Sequence, residues 1–237
     1  MKTIVIFGAG TGLGSAVARR FGRDGHRVAL VARDRARLDA LVTDLAAEGV
    51  EAAAFVADLS RPEDVPGLIE RIRDRFGRID VVEYAPITTE GFTPATGLDA
   101  ASERRHLDVL LLSLIEVVRA VLPEMQARGS GGILLGQGSS AVHPRPGLSG
   151  VGPAMAAARN YMLTLNGELA GTGVYAGVLH VGAMILGSAG HRAMVGGEMA
   201  TRLDPATLPT VEPADLADRL WTMLAERGPA EDLVPAA

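Results

Sequence analysis

The chain has 237 residues, 48% of them hydrophobic and 22% charged, with a formal net charge of −5; this length suits one large α/β domain better than two. The charge argues against nonspecific nucleic-acid binding, and the absence of cysteine excludes disulfides, thiolate nucleophiles and zinc–cysteine centres. Lys and Arg together number 23, yet Lys2 is the single lysine, which excludes any mechanism that needs a lysine further along the chain.

The start shows no basic segment followed by a short apolar one, and no stretch reaches the roughly 18 uninterrupted apolar residues of a membrane span. A soluble, cytoplasmic protein is therefore expected. The apolar run Thr3-Ile4-Val5-Ile6 leads directly into Phe7-Gly8-Ala9-Gly10-Thr11-Gly12-Leu13-Gly14, which opens a helical pattern. Strand, glycine turn and helix in this order let backbone approach a pyrophosphate and aim helix N-terminal N–H groups at its charge. The backbone of Gly8, Gly10, Thr11, Gly12, Leu13 and Gly14 is the expected cradle.

Val17, Ala18 and Phe21 continue the helix to Gly25, and Arg27 to Ala32 reads as a second strand. Such a βαβ unit implies parallel strands and a right-handed crossover. The second strand ends in Ala32-Arg33. An acidic residue there would bind a free ribose 2′-hydroxyl, whereas a small residue followed by arginine suits a 2′-phosphate, so NADP(H) is the preferred cofactor over NAD(H). The alternative places Arg33 in a solvated charged turn with Asp34, Arg35 and Arg37.

Leu38, Leu41, Val42 and Leu45 mark a second helix, ending at Gly49, and Glu51 to Ala57 a third strand. In Asp58-Leu59-Ser60, Asp58 has two compatible roles: accepting from an adenine amino group, or capping, with Ser60, the helix that Pro62 starts. That helix carries Val65, Leu68, Ile69, Ile72 and Phe76 and stops at Gly77; Ile79 to Tyr84 is a fourth strand. Asp99 to Arg128 reads as one long helix, apolar nearly all round between Leu107 and Val118, as expected where a second subunit covers it. Ile133 to Leu135 is a fifth strand, Pro153 to Ala170 a helix and Val174 to Val181 a sixth strand. Between Gly187 and Pro209 periodicity dissolves, which suggests a lid over a binding site, with Met184, Met194 and Met199 as apolar lining. Pro213 to Glu226 is the last helix, and Leu233-Val234 a possible terminal strand.

This order of elements resembles the short-chain dehydrogenase/reductase family across nearly the whole chain. Gly8, Gly12 and Gly14 match the family's Gly-x-x-x-Gly-x-Gly, and Asp58 its acidic residue after the third strand. Asp108-Val109-Leu110 through Leu122-Pro123-Glu124-Met125 is similar to its fourth helix, Glu168-Leu169 to the end of its fifth, and Gly182 to the glycine after strand six. The resemblance implies a doubly wound Rossmann fold, a single domain over 1–237 with a parallel sheet of about seven strands and helices on both faces. It adds Leu59, Ala85 and Gly182 to the cofactor contacts. It further implies a homodimer or homotetramer through 99–128 and 153–170.

Family members use a Tyr-x-x-x-Lys pair with a serine and an asparagine. Counting from Glu168 at the family's spacing puts these four positions at Val151, Met155, Gly138 and Leu110, none of which transfers a proton. Further departures are Tyr84-Ala85-Pro86 in place of Asn-Ala-Gly, and Val181 before Gly182. His143, Tyr84 and Ser139 remain as weak catalytic candidates, with Ser140 and His180 nearby; each has a structural alternative. Tyr161 lies about 80° round the helix from Val151 and some 15 Å further along, and reads as a packing residue. Arg159 could bind an anion, although an intersubunit or surface ion pair is the favoured role. No metal centre is expected. Three functions compete: an NADP(H)-dependent oxidoreductase of non-standard mechanism acting on a small molecule in an apolar pocket, a catalytically silent NADP(H)-binding sensor or partner subunit, and an enzyme of another class that reuses the fold.

Overall fold

A computed structural model describes residues 1–88, 92–196 and 208–235. Seven strands form one parallel sheet: β1 (Thr3–Phe7), β2 (Arg27–Ala32), β3 (Ala52–Val56), β4 (Val81–Tyr84), β5 (Gly131–Gly138), β6 (Val174–Val181) and, last in chain order, β9 (Glu231–Val234). Their spatial order is β3-β2-β1-β4-β5-β6-β9, so the chain reverses direction between β1 and β4. In open parallel sheets ligands bind outside the carboxyl ends of the strands at such a reversal.

Helices cover both faces. α1 (Leu13–Arg23), α2 (Arg35–Ala47) and α8 (Pro213–Glu226) bury Val17, Phe21, Leu38, Leu45 and Leu220 against one side. α3 (Val65–Phe76), α5 (Ser113–Ala127) and α6 (Gly152–Glu168) bury Ile69, Ile72, Leu114, Val121 and Met162 against the other. Most residues of β1, β2, β4, β5 and β6 are buried, which explains why these strands read as near-continuous apolar runs and not alternating ones. The helices stop where expected: Gly77, the C-cap of α3, has φ +79°, and Gly25 and Gly49 follow α1 and α2 at +82° and +80°. Among the described residues no helix is long and apolar enough to cross a membrane.

Three local expectations are corrected. The helix expected over 99–128 is not uniform: α4 (Ala100–Leu107) passes through a π segment at Asp108–Leu112 before α5 begins. The Tyr84 hydroxyl donates to the Val109 carbonyl at 2.6 Å within that segment, a donor competing with the helical ladder for the same acceptor. Neither Asp58 nor Ser60 caps the turn that Pro62 starts; its N-cap is Arg61, without a side-chain bond, and Asp58 instead accepts from the Ser60 amide at 3.0 Å. The segment after Gly187 is not structureless throughout. Ser188 caps α7 (Ala189–Val195) by accepting from the His191 amide at 3.0 Å, and β7 (Met184–Ile185) pairs with β8 (Thr210–Val211). Residues 197–207 of the expected lid, with Met199, lie outside the described residues; Met194 is buried.

A single carboxylate ties the amino ends of the central strands. Asp80, 4% exposed at its side chain, accepts from the Thr3 amide of β1 at 2.8 Å and from the Arg78 guanidinium. Truncation strands both donors, but Arg78 stays half-exposed and rehydrates. Asp80→Ala should therefore cost about 2–3 kcal/mol of stability in urea unfolding; a loss below about 0.5 kcal/mol would contradict this role.

Candidate cofactor and active site

The glycine loop leaves β1 under tight steric constraint. Gly8 has φ +94°, and a Cβ there would meet the Ala85 carbonyl oxygen at 2.6 Å. A Cβ on Gly14 would lie 2.8 Å from the Gly8 carbonyl oxygen, and one on Gly12 2.7 Å from Ser188 Cβ. These three glycines permit the β1–α1 turn to fold against the end of β4 and the start of α7. Gly10 differs: a Cβ there would find its nearest neighbour, the Gly8 oxygen, at 3.7 Å. Among the described residues, the space above Gly10 is open.

α1 begins at Leu13 with no side-chain cap on Gly12, while the Ser15 and Ala16 amides turn back to the Gly10 and Gly12 carbonyls. The first turn thus keeps orphan donors and the positive end of the helix dipole. This cradle fits a dinucleotide pyrophosphate. The Thr11 hydroxyl is held by Arg192 at 2.8 Å, so the start of α7 lies against the loop.

β2 and β3 end beside it. Arg33 is exposed and makes no hydrogen bond or ion pair among the described residues, whereas Arg35 pairs with Asp39 at 2.8 Å and Arg37 with Asp34 at 3.0 Å. The Asp58 carboxyl is held below its usual range, chiefly by the Ser60 amide, with the nearby Arg33 charge a further cause. Leu59 is buried and its carbonyl accepts from the Ser113 hydroxyl at 2.7 Å. The amides of Ala85 and Gly182 are already used, donating to Phe7 at 2.9 Å and Val234 at 2.7 Å; they offer a ligand only surface. A surface depression of about 470 Å³ is lined by Asp58, Leu59, Arg61 and Arg71, and no residue of the glycine loop lines it.

The positions implied for catalysis converge. Leu110, Val151 and Ala154 form a buried apolar cluster, with Phe92, Leu107, Val109 and Met155 packed on it. Met155 Sδ lies 3.4 Å from where a Gly138 Cβ would be and 3.7 Å from the Ser140 hydroxyl. Of the weaker candidates, Tyr84 is excluded as a proton donor: it is fully buried, its hydroxyl is committed to Val109, and burial pushes its ionisation far above the usual phenol range. Ser139 sits against Gly182, its Oγ 3.2 Å from a Cβ built there. His143 is exposed just beyond the Ser139–Ala141 turn, its amide bonded to the Ser139 carbonyl at 2.8 Å.

Arg159 is occupied within the chain, not across an interface. Both its Nε and Nη2 bond Glu231 of β9 at 2.7 Å, and the buried His180 reaches the same carboxylate through Nε2 at 3.2 Å. Burial lowers the His180 pKa, and Arg159 holds Glu231 below its usual range. Tyr161 packs at the edge of the core, as a structural residue should.

Sequence reasoning missed two buried polar groups. Glu83 has no exposed surface and neither carboxylate oxygen finds a hydrogen-bond partner among the described residues; the signal available was an acidic residue inside an otherwise apolar parallel strand. His106, 1% exposed and one turn before Leu110, brings Nε2 to 3.0 Å from a Cβ built on Gly150.

A family model described as short chain dehydrogenase matches residues 2–188. Among curated relatives, the short chain dehydrogenase MYCFIDRAFT_6125 of Pseudocercospora fijiensis is 30% identical over 77% of this chain; the matched stretch spans only 60% of that protein's length. An alcohol dehydrogenase from the archaeon Thermococcus sibiricus, complexed with 5-hydroxy-NADP, is 26% identical, with a TM-score of 0.78 over 99% of this chain and 96% of its own. An NAD+-bound xylitol dehydrogenase shares the fold at 20% identity, with a TM-score of 0.86 over 98% of this chain and 96% of its own. Sheet order, glycine cradle and family match agree: the chain belongs to the short-chain dehydrogenase family.

Proposed function

We propose that this protein binds NADP(H) and is an oxidoreductase that works without the family's Tyr–Lys proton relay. The observation that carries the cofactor choice is Arg33 at the end of β2, which makes no hydrogen bond or ion pair among the described residues while its neighbours Arg35 and Arg37 pair with Asp39 and Asp34. A guanidinium free of internal partners suits a 2′-phosphate. The cofactor-bound neighbours include an NADP derivative and NAD+; Arg33 favours the former.

When bound, the reduced nicotinamide supplies a hydride. The chain's own part is to bind, orient and exclude water. Leu110, Val151 and Met155 offer apolar contacts where the family's proton donors stand. Such a pocket suits a substrate whose reduction needs little acid assistance, an iminium ion or a strongly activated enone. His143, exposed just beyond the Ser139–Ala141 turn, is in this reading the proton donor when one is needed. Residues 187–209 serve in this reading as a lid over the single domain. A homo-oligomer through 99–128 and 153–170 covers Leu112, 41% exposed in the isolated chain.

A second reading is favoured by the same apolar cluster: a silent NADP(H)-binding sensor, in which the packed Leu110, Val151 and Ala154 leave no proton-transferring group at those positions.

Fluorescence titration separates cofactor choices. Arg33→Ala should weaken NADPH binding about 10- to 100-fold and leave NADH binding nearly unchanged, the loss of one charge-assisted contact; equal loss for both would place Arg33 elsewhere. Gly10→Ala should fold normally yet lose most affinity for both cofactors, because its methyl group fills the open cradle and meets no protein atom closer than 3.7 Å. For the chemistry, NADPH consumption is followed with carbonyl, imine and enone substrates. Turnover of iminium or enone substrates that falls in His143→Ala supports the enzyme; tight binding without turnover supports the sensor. Val151→Tyr with Met155→Lys should create carbonyl reduction, and failure of the folded, NADPH-binding double variant would show that the pocket geometry differs from the family's.

A further inference from the structure

Glu83 lies on β4 opposite Ile6 of β1 and Leu134 of β5, and so on the sheet face that carries α1. Its surroundings are defined by an absence of side chain at Gly136. A Cβ built there would meet Leu13 Cδ2 at 3.0 Å, Ala85 Cβ at 3.1 Å and Glu83 Oε1 at 3.6 Å. Three groups therefore converge on one point: the first residue of α1, the residue whose carbonyl wedges Gly8, and a carboxyl with no exposed surface and, among the described residues, no hydrogen-bond partner on either oxygen.

Among the described residues, no charge from the surrounding elements compensates it; Arg23, at the far end of α1, turns back to the Arg19 carbonyl at 3.3 Å. β1 contributes no ionisable side chain, and β5 contributes only the amide of Gln137. On α1, Arg19 is engaged by Asp44 and Glu48 and Arg20 by Asp218 of α8. Arg219 of α8 pairs with Asp232, and Asp80, three residues earlier on the chain, is held by Arg78 and Thr3. An ionised carboxylate at this place would be both desolvated and unpaired. Burial alone pushes the Glu83 carboxyl up to about 8, so at neutral pH it is an uncharged acid.

We propose that Glu83 is a positioning residue for the dinucleotide site: its uncharged carboxyl supports Leu13 and Ala85 beneath the glycine loop, and its ionisation expels the anionic cofactor. Two physical effects act in the same direction. A negative charge under the cradle opposes the pyrophosphate and the positive end of α1 that binds it. The same charge demands water, which must enter between Leu13 and Ala85 and loosen the Gly8 contact. By linkage, cofactor binding then takes up a proton wherever the free protein is ionised.

This inference rests on cofactor binding, and the experiment keeps the two apart. NADPH affinity is measured by fluorescence from pH 6 to pH 9.5 for wild type, Glu83→Gln and, should the amide fail to fold, the apolar Glu83→Leu. Calorimetry in two buffers of different ionisation enthalpy counts protons. Expected is a wild-type affinity that falls about tenfold per pH unit above the Glu83 titration, with proton uptake approaching one, against a flat profile and no linked uptake in the variants. Wild type and variants with superimposable pH profiles would overturn the role of Glu83 and leave cofactor binding intact. No NADPH binding by wild type at any pH would overturn both.

Discussion

Everything at the carboxyl edge of this sheet depends on one close approach of backbone to backbone. The Ala85 carbonyl presses on Gly8, at a distance where no side chain fits, and Gly14 folds onto the Gly8 carbonyl in turn. That double contact fixes where α1 starts. An uncapped helix N-terminus then stands at the reversal between β1 and β4, where the sheet opens to a ligand. The ends of β2 and β3 add Arg33 and Asp58 at one side, and the ends of β4, β5 and β6 add Ala85, Ser139 and Gly182 at the other. The site is a consequence of topology, and the side chains only choose what it holds.

The chemistry of the two halves differs. On the cofactor half stand polar backbone and the Arg33 guanidinium, which makes no ion pair among the described residues. On the other half, Leu110, Val151 and Met155 close on one another as apolar groups do, and the nearest strongly polar assembly, Arg159–Glu231–His180, spends its charges internally between α6, β6 and β9. Glu83, uncharged at neutral pH, is consistent with the same economy of charge around the cradle.

Much of this was legible in sequence because it is local. Val174–Val181 and Pro213–Glu226 begin and end where apolar runs, Pro at the helix start and flanking glycines say they should. The glycine spacing announced the cradle because only backbone sterics are involved. What escaped was long-range. The π segment at Asp108–Leu112 coincides with a tyrosine 25 residues away that takes the Val109 carbonyl. The helix Ala189–Val195 carries too weak a pattern to be seen, and its start is fixed by a Ser188 cap and by contact with Thr11. Asp58 looked like a cap, yet its neighbour Ser60 claims it. Tyr84, at a strand end that seemed to face a ligand, is buried instead. Glu83 was passed over because its meaning lies in the gap that Gly136 leaves on the adjoining strand.

The most direct test of a cradle that holds NADP(H) without a Tyr–Lys relay is a crystal structure of the protein with NADPH. The account predicts pyrophosphate over Gly10 against the amides of Thr11 to Leu13, the 2′-phosphate within hydrogen-bond distance of the Arg33 guanidinium, and only apolar side chains where Val151 and Met155 meet the nicotinamide side. Cofactor lying elsewhere, or an Arg33 turned away from an ordered 2′-phosphate, would contradict it.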